Sequence, residues 1–173
     1  SDDVYAPDYG RWIRATFAAF PDALIAFTDH TEHSPRGPRR SNLNLLVKRE
    51  VLELIGGFDE AYAIGNFEDD DLCLRAALAG YTAVIAHDVF VHHFGNQSFK
   101  GNNIDYSASI NENRARFTAK WPGIVSFNPD QSGYAISIDP VKRSAFLNGL
   151  AEQAFLAAEY SRAVKLCKRA LQL

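Results

Sequence analysis

The stretch Gly65-Asn66-Phe67-Glu68-Asp69-Asp70-Asp71-Leu72-Cys73-Leu74-Arg75 sets four consecutive carboxylates where a helix must start, and Gly80-Tyr81 closes that helix into the next segment. Acidic residues in a first turn complement the positive end of the helix dipole, so the placement is locally favourable. Arg75 stands four residues after Asp71, the spacing of an ion pair along one helical face. Two readings follow. The run is a solvated, well-capped helix end, or it holds a carboxylate at the rim of a sheet as a general base toward a hydroxyl.

Working outward, Tyr81 to Ala86 alternates and is rich in β-formers, which predicts a strand. His87 to Phe99 then holds three of the five histidines. Toward the N-terminus, residues 48–55 predict a short helix closed by Gly56-Gly57, preceded by a strand over residues 42–47. Asp29 to Arg40 carries two prolines, a glycine, two histidines and three arginines without periodicity, which predicts a loop. Ala23 to Phe27 predicts a buried strand. Over residues 7–20, Trp12, Ile13, Thr16, Phe17 and Phe20 recur at helical spacing and predict one buried helix face, ended by Pro21. A long helix is predicted over residues 105–121, ended by Pro122-Gly123, and then an extended connector over residues 124–140. The tail, residues 141–173, is rich in alanine and leucine and splits near Glu159-Tyr160 into two antiparallel helices.

The composition is that of an ordinary globular chain of 173 residues, 47% hydrophobic and 23% charged. Its net charge of −3 supplies no basic field for nucleic acid or anionic lipid. Cys73 and Cys167 form no C-x-x-C motif, which suits a reducing compartment. No apolar run reaches the ~20 residues of a membrane span. The chain contains no methionine, which reads as a processed or excised piece.

Other residues could carry chemistry. His87-Asp88 resembles the dipeptide of metal-dependent phosphohydrolases. Ser1-Asp2-Asp3-Val4 is either a capping sequence or a carboxylate pair that could hold a divalent cation through oxygen. His92 and His93 would point to opposite faces of an extended segment, so one of them at most would ligate.

Taken in order, Asp2-Asp3, Arg49-Glu50-Val51 leading to Ile55-Gly56-Gly57-Phe58-Asp59-Glu60, the run Glu68 to Arg75, Gly80-Tyr81, and His93-Phe94-Gly95 with Ser98-Phe99 resemble the C-terminal half of a family 2 inverting glycosyltransferase of GT-A fold, over about the first 120 residues. The resemblance implies an α/β fold: a partial, Rossmann-like GT-A domain with a mixed sheet over residues 1–122, a connector over 123–140 and a helical hairpin over 141–173. It implies that Asp69 deprotonates the acceptor hydroxyl, that Glu68, Phe58 and Asp59 shape the acceptor site, and that Asp3 and His93, with His92 as fallback, bind Mn²⁺ or Mg²⁺. The implied partners are a nucleotide-sugar donor and a glycan, lipid-linked or protein acceptor, in polysaccharide or glycoconjugate synthesis in the cytoplasm or at the inner face of the membrane. The base-binding half would precede Ser1, so the chain alone is expected to be inactive and, with sheet edges exposed, to self-associate. Leu147, Leu150, Ala151, Ala154, Ala163 and Ala170, with Tyr160 between the helices, resemble one tetratricopeptide repeat. That tail supports the alternative of a non-catalytic binding module that docks a protein partner.

Overall fold

The computed structural model describes residues 3–20, 23–34, 37–62, 66–93, 105–128 and 133–173; of residues 3–4, 23–34, 37–44, 87–90 and 92–93 it describes the backbone alone. The content is mixed α/β, and contacts group the chain into two compact units, Ser1–Lys48 with Tyr81–Asp105, and Arg49–Gly80 with Tyr106–Leu173. No described helix is long and apolar enough to cross a membrane.

The first unit is a four-stranded sheet of β1 (Asp3–Tyr5), β2 (Ala23–Ser34), β3 (Gly37–Val47) and β4 (Thr82–His93), in the order β1-β4-β2-β3. Strands β2 and β4 run parallel, and the outer pairs are antiparallel. Helix α1 (Tyr9–Ala19) buries Ile13 against Ala86, flanked by Tyr9, Phe17 and Leu46. The helix is narrower in its contacts than its periodicity predicts, since Trp12 is 41% and Phe20 55% exposed. Phe20 has left helical geometry at the C-cap, and Trp12 lies about 100° around the axis from Ile13.

The expected loop over residues 29–40 is instead the far half of the β2–β3 hairpin, paired from Asp29↔Asn42 to Ser34↔Gly37. Strand β2 is hydrogen-bonded on both sides, to β3 and to β4, and a ladder satisfies backbone groups whatever the side-chain pattern. β4 likewise continues past Ala86 through the histidines.

In the second unit, α2 (Arg49–Ile55), α3 (Glu68–Leu78) and α4 (Tyr106–Lys120) are followed by a hairpin of β5 (Val125–Asn128) and β6 (Gly133–Ile136), where the sequence predicts an extended connector. Tyr62, Phe67, Leu74, Leu78, Phe117, Trp121 and Val125 form its core. Helices α5 (Pro140–Leu156) and α6 (Tyr160–Ala170) pack on each other through Leu147, Ala151, Ala154, Ala163 and Leu166, all buried. Asp139 caps α5, its carboxylate accepting from the Lys142 N–H at 2.8 Å.

Two arginines of α6 fasten the hairpin to the helices before it. Arg162 Nε donates to the Leu54 carbonyl at 2.9 Å, and Arg169 donates to the carbonyls of Ala79 at 2.8 Å and Gly80 at 3.1 Å. These are carbonyls at the C-terminal ends of α2 and α3, where no intrahelical donor remains and the dipole favours a cation.

Candidate active site around the acidic helix start

Helix α3 begins without a side-chain cap. Asn66 and Phe67 precede it at φ 70° and 73°, the left-handed region that costs non-glycine residues free energy. Helix α4 holds this turn from outside: Tyr106 Oη donates to Asn66 Oδ1 at 3.2 Å, and Asn113 Nδ2 donates to the Asn66 carbonyl at 3.2 Å. The Phe67 ring sinks into the core against Phe117, with centroids 5.5 Å apart. The turn therefore fixes where the four carboxylates emerge.

Those carboxylates have four different environments. Asp71 is fully buried. Its Oδ2 accepts from Arg75 Nε at 2.8 Å, and its Oδ1 accepts from Trp121 Nε1 at 2.8 Å and from Tyr62 Oη at 3.4 Å, with Lys120 Nζ at 2.8 Å. Arg75 in turn donates to the carbonyls of Ile55 at 2.8 Å, Gly56 at 3.3 Å and Gly57 at 2.7 Å. One ion pair thus ties α2, the Gly-Phe-Asp segment, α3 and the end of α4 together. Burial, then the charge of Asp71, raises the Tyr62 phenol well above its ordinary range.

Asp70 accepts a short hydrogen bond from Tyr134 Oη of β6. Burial raises its pKa, against the pull of that bond. Tyr134 also stacks near Phe67 and Phe117, at centroid distances of 6.2 and 5.4 Å. Glu68 is partly buried, its Oε2 has no hydrogen-bond partner among the described residues, and burial raises its pKa. Asp69 is partly exposed, and its Oδ1 accepts the Asp70 N–H at 2.9 Å. Its Oδ2 takes no hydrogen bond among the described residues.

The other expected acceptor residues lie on the loop after α2. Asp59 is held by the Ala61 N–H at 2.9 Å and Lys120 Nζ at 2.7 Å, and the Lys120 bond keeps its carboxyl below the usual range. Phe58 is 57% exposed. Tyr134, Lys120 and Tyr62 were not legible as partners of the acidic run, nor Tyr106 and Asn113 as partners of Asn66 before it. All but Tyr62 arrive from distant positions, and no local pattern announces these contacts.

The expected metal residues belong to the sheet unit. Asp3 and His93 are partners in the antiparallel β1–β4 ladder, while His92 pairs with Val4. Paired residues share a face and neighbours along a strand alternate, so the register joins Asp3 to His93 and sets His92 on the opposite face. Among residues with described side chains, no three His, Cys, Asp or Glu form a metal-holding group. His87-Asp88 falls where the β2–β4 register jumps, between Thr28↔Ala86 and Asp29↔Phe90. Ser1, Asp2, Phe94, Gly95, Ser98 and Phe99 lie outside the described residues. Comparison with protein-family models, curated proteins and solved structures finds no match to this chain.

Proposed function

We propose that this chain is the metal- and acceptor-side half of an inverting glycosyltransferase of family 2 and GT-A fold, acting on a nucleotide-sugar donor and a glycan, lipid-linked or protein acceptor. The observation that carries the reading is the division of labour in the acidic run. Asp71 and Asp70 are committed to Arg75 and Tyr134, whereas Asp69 keeps a partly exposed carboxylate with one oxygen available. In the proposed reaction Asp69 takes the proton of the acceptor hydroxyl as its oxygen bonds to the anomeric carbon. The bond from that carbon to the diphosphate breaks, its electron pair leaves with the diphosphate, and the single displacement inverts the centre. Glu68 accepts a neighbouring acceptor hydroxyl, which would supply the partner its Oε2 lacks, and the exposed Phe58 ring offers an apolar face to the sugar. Asp3 and His93 would hold Mn²⁺ or Mg²⁺, whose charge offsets that of the departing diphosphate.

The test uses the complete parent enzyme. Asp69→Asn should preserve nucleotide-sugar affinity and lower turnover by about 10²–10⁴-fold, the contribution of a positioned base. Asp70→Asn should change turnover little. Equal, small effects on nucleotide release from the two variants would refute the assignment.

The binding-module reading is favoured by one observation. Phe155 and Tyr160, in edge contact at 5.6 Å, are 61% and 59% exposed on the helical hairpin, beside Leu156 and Val164, also exposed. This is a surface on which a protein partner would dock, and it is compatible with catalysis elsewhere in the chain.

A further inference from the structure

The β5–β6 hairpin, where the sequence predicts an extended connector, delivers one side chain to the acidic run. Tyr134 and Phe127 are cross-strand partners, so they share a face of the hairpin, and α4 fastens both. The Arg114 guanidinium stacks over the Phe127 ring at 4.7 Å, and Phe117 meets the Tyr134 ring edge-on at 5.4 Å. At the base of the hairpin Val125 is buried in the core, and the Ser137 N–H donates to the Ile124 carbonyl at 2.8 Å. A phenol held both at its ring and at its strand has little freedom, and its O–H ends on Asp70 Oδ1. Burial, then that bond, raises the phenol above its ordinary range, so Tyr134 keeps the proton it donates.

Asp69 and Asp70 are neighbours in the first turn of α3, about 100° apart around its axis, and both are partly exposed. A hydroxyl has one proton to donate. With both carboxylates open, an acceptor could donate to either, and the two poses would set its oxygen in different places, only one of them in line with the anomeric carbon. We propose that Tyr134 is a positioning residue of the acceptor site, turning the Asp70 carboxylate to the hairpin so that the acceptor hydroxyl meets Asp69 alone. The inference rests on the glycosyltransferase reading for the role of Asp69, and takes Tyr134 from the hydrogen bond and the hairpin that aims it. It has a kinetic signature. An acceptor bound through Asp70 is held but not turned over, so opening Asp70 lowers kcat and the acceptor KM by the same factor. The ratio kcat/KM is unchanged, because it compares the transition state with free enzyme and acceptor, neither of which the wrong pose touches. A displaced Asp69 would lower kcat/KM instead. Equal hydrogen bonds to the two carboxylates put about half of the bound acceptor in the unproductive pose, so the factor is about two or more.

The experiment follows nucleotide release by the complete parent enzyme at saturating nucleotide sugar. The acceptor varied is whichever of a neutral oligosaccharide, a lipid-linked saccharide and a serine-containing peptide supports the fastest release. Tyr134→Phe keeps the ring against Phe67 and Phe117 and removes only the hydroxyl. It should lower kcat and acceptor KM together by about twofold or more, and Asp70→Asn combined with it should return both to the values of Asp70→Asn alone. A role confined to holding the hairpin would not depend on the charge at position 70. Unchanged kinetics in folded Tyr134→Phe overturns the proposal, as does a fall in kcat/KM that Asp70→Asn leaves in place. A Tyr134→Phe enzyme that does not fold by circular dichroism makes the phenol structural and overturns it too. In each of these cases a loss of turnover in Asp69→Asn leaves the glycosyltransferase reading standing. Full turnover in Asp69→Asn, or no release with any of the three acceptors, removes that reading and this proposal with it.

Discussion

Replacing Asp71 by asparagine should be the most damaging single change in the acidic run, although it preserves shape to within one atom. The carboxylate is fully buried and faces Arg75, Trp121, Lys120 and Tyr62, all as donors. An amide offers one oxygen, and wherever its NH₂ points it meets another donor. Arg75, 7% exposed and still anchored to three carbonyls, then keeps a buried charge without its counter-ion. Removing one partner of a buried pair costs about 3–5 kcal/mol. For a chain of this size that lowers the thermal midpoint by about 6–20 °C. Asp69→Asn should cost only about 0.3–1 kcal/mol, because the amide oxygen can still accept the Asp70 N–H and only the interaction with the helix dipole is lost. Urea unfolding followed by tryptophan fluorescence reads both, and Trp121 reports the network directly through its indole N–H. Midpoints for the two variants that agree within error would refute the claim that the Asp71 network holds the unit together.

Three further outcomes follow from the geometry. Glu68→Gln should stabilise the chain at pH 7 and leave it unchanged near pH 4. The folded-state pKa of Glu68 is raised by burial, so the folded state holds its proton longer and stability falls as pH rises from about 4.5, near the ordinary glutamate value; urea midpoints across pH 4–8 measure it. Asp59 works the other way. Its pKa is lowered chiefly by the Lys120 hydrogen bond, so its contribution is present above the ordinary carboxyl range and is lost as pH falls through it, and Lys120→Met should flatten that acid limb. Finally, Gly80→Ala and Gly149→Ala should shift stability in opposite directions. Gly80 sits at φ +79° with Leu173 against the space a Cβ would take, which costs about 1–2 kcal/mol. Gly149, inside α5 with nothing near its missing Cβ, should gain about 0.5–1 kcal/mol. Thermal melts of the two variants check the pair.

What was legible in the sequence is what depends on neighbours along the chain. The start of α3 at Glu68, its end before Gly80 and the closure of α2 at Gly56 are signalled by residue types about a turn apart, and each stands where the spacing predicts. What was illegible depends on distant pairing. Residues 29–40 look like a loop because prolines, arginines and histidines break any alternation, yet two flanking strands make them a ladder. The β5–β6 hairpin was hidden in a stretch of turn-forming residues, and with it Tyr134, which reaches Asp70 across 64 positions. Asp3 and His93 could be suspected singly, but the ladder that pairs them exists only in three dimensions.

The partition of the four carboxylates nevertheless has a sequence-level cause. Positions 71, 74, 75 and 78 follow the i, i+3, i+4, i+7 rule, and all four are buried in the structure. Asp71 is therefore on the core face of α3 by phase alone, and a carboxylate there needs a cation on the same stripe, which Arg75 supplies one turn on. Glu68 lies three residues before Asp71, near the edge of that stripe, and its partial burial follows. Asp69 and Asp70 stand about 200° and 100° from Asp71 around the axis, off that stripe, although Asp69 shares its side of the helix with the buried Leu72 and Ala76. Of these two, Asp70 is held only because a tyrosine arrives from β6. Asp69 keeps an oxygen without a partner among the described residues. A run of like charges is thus four separate environments once the helical period and the distant tyrosine are applied, and the proposed base is the one aspartate among them whose carboxylate takes no hydrogen bond from another side chain among the described residues.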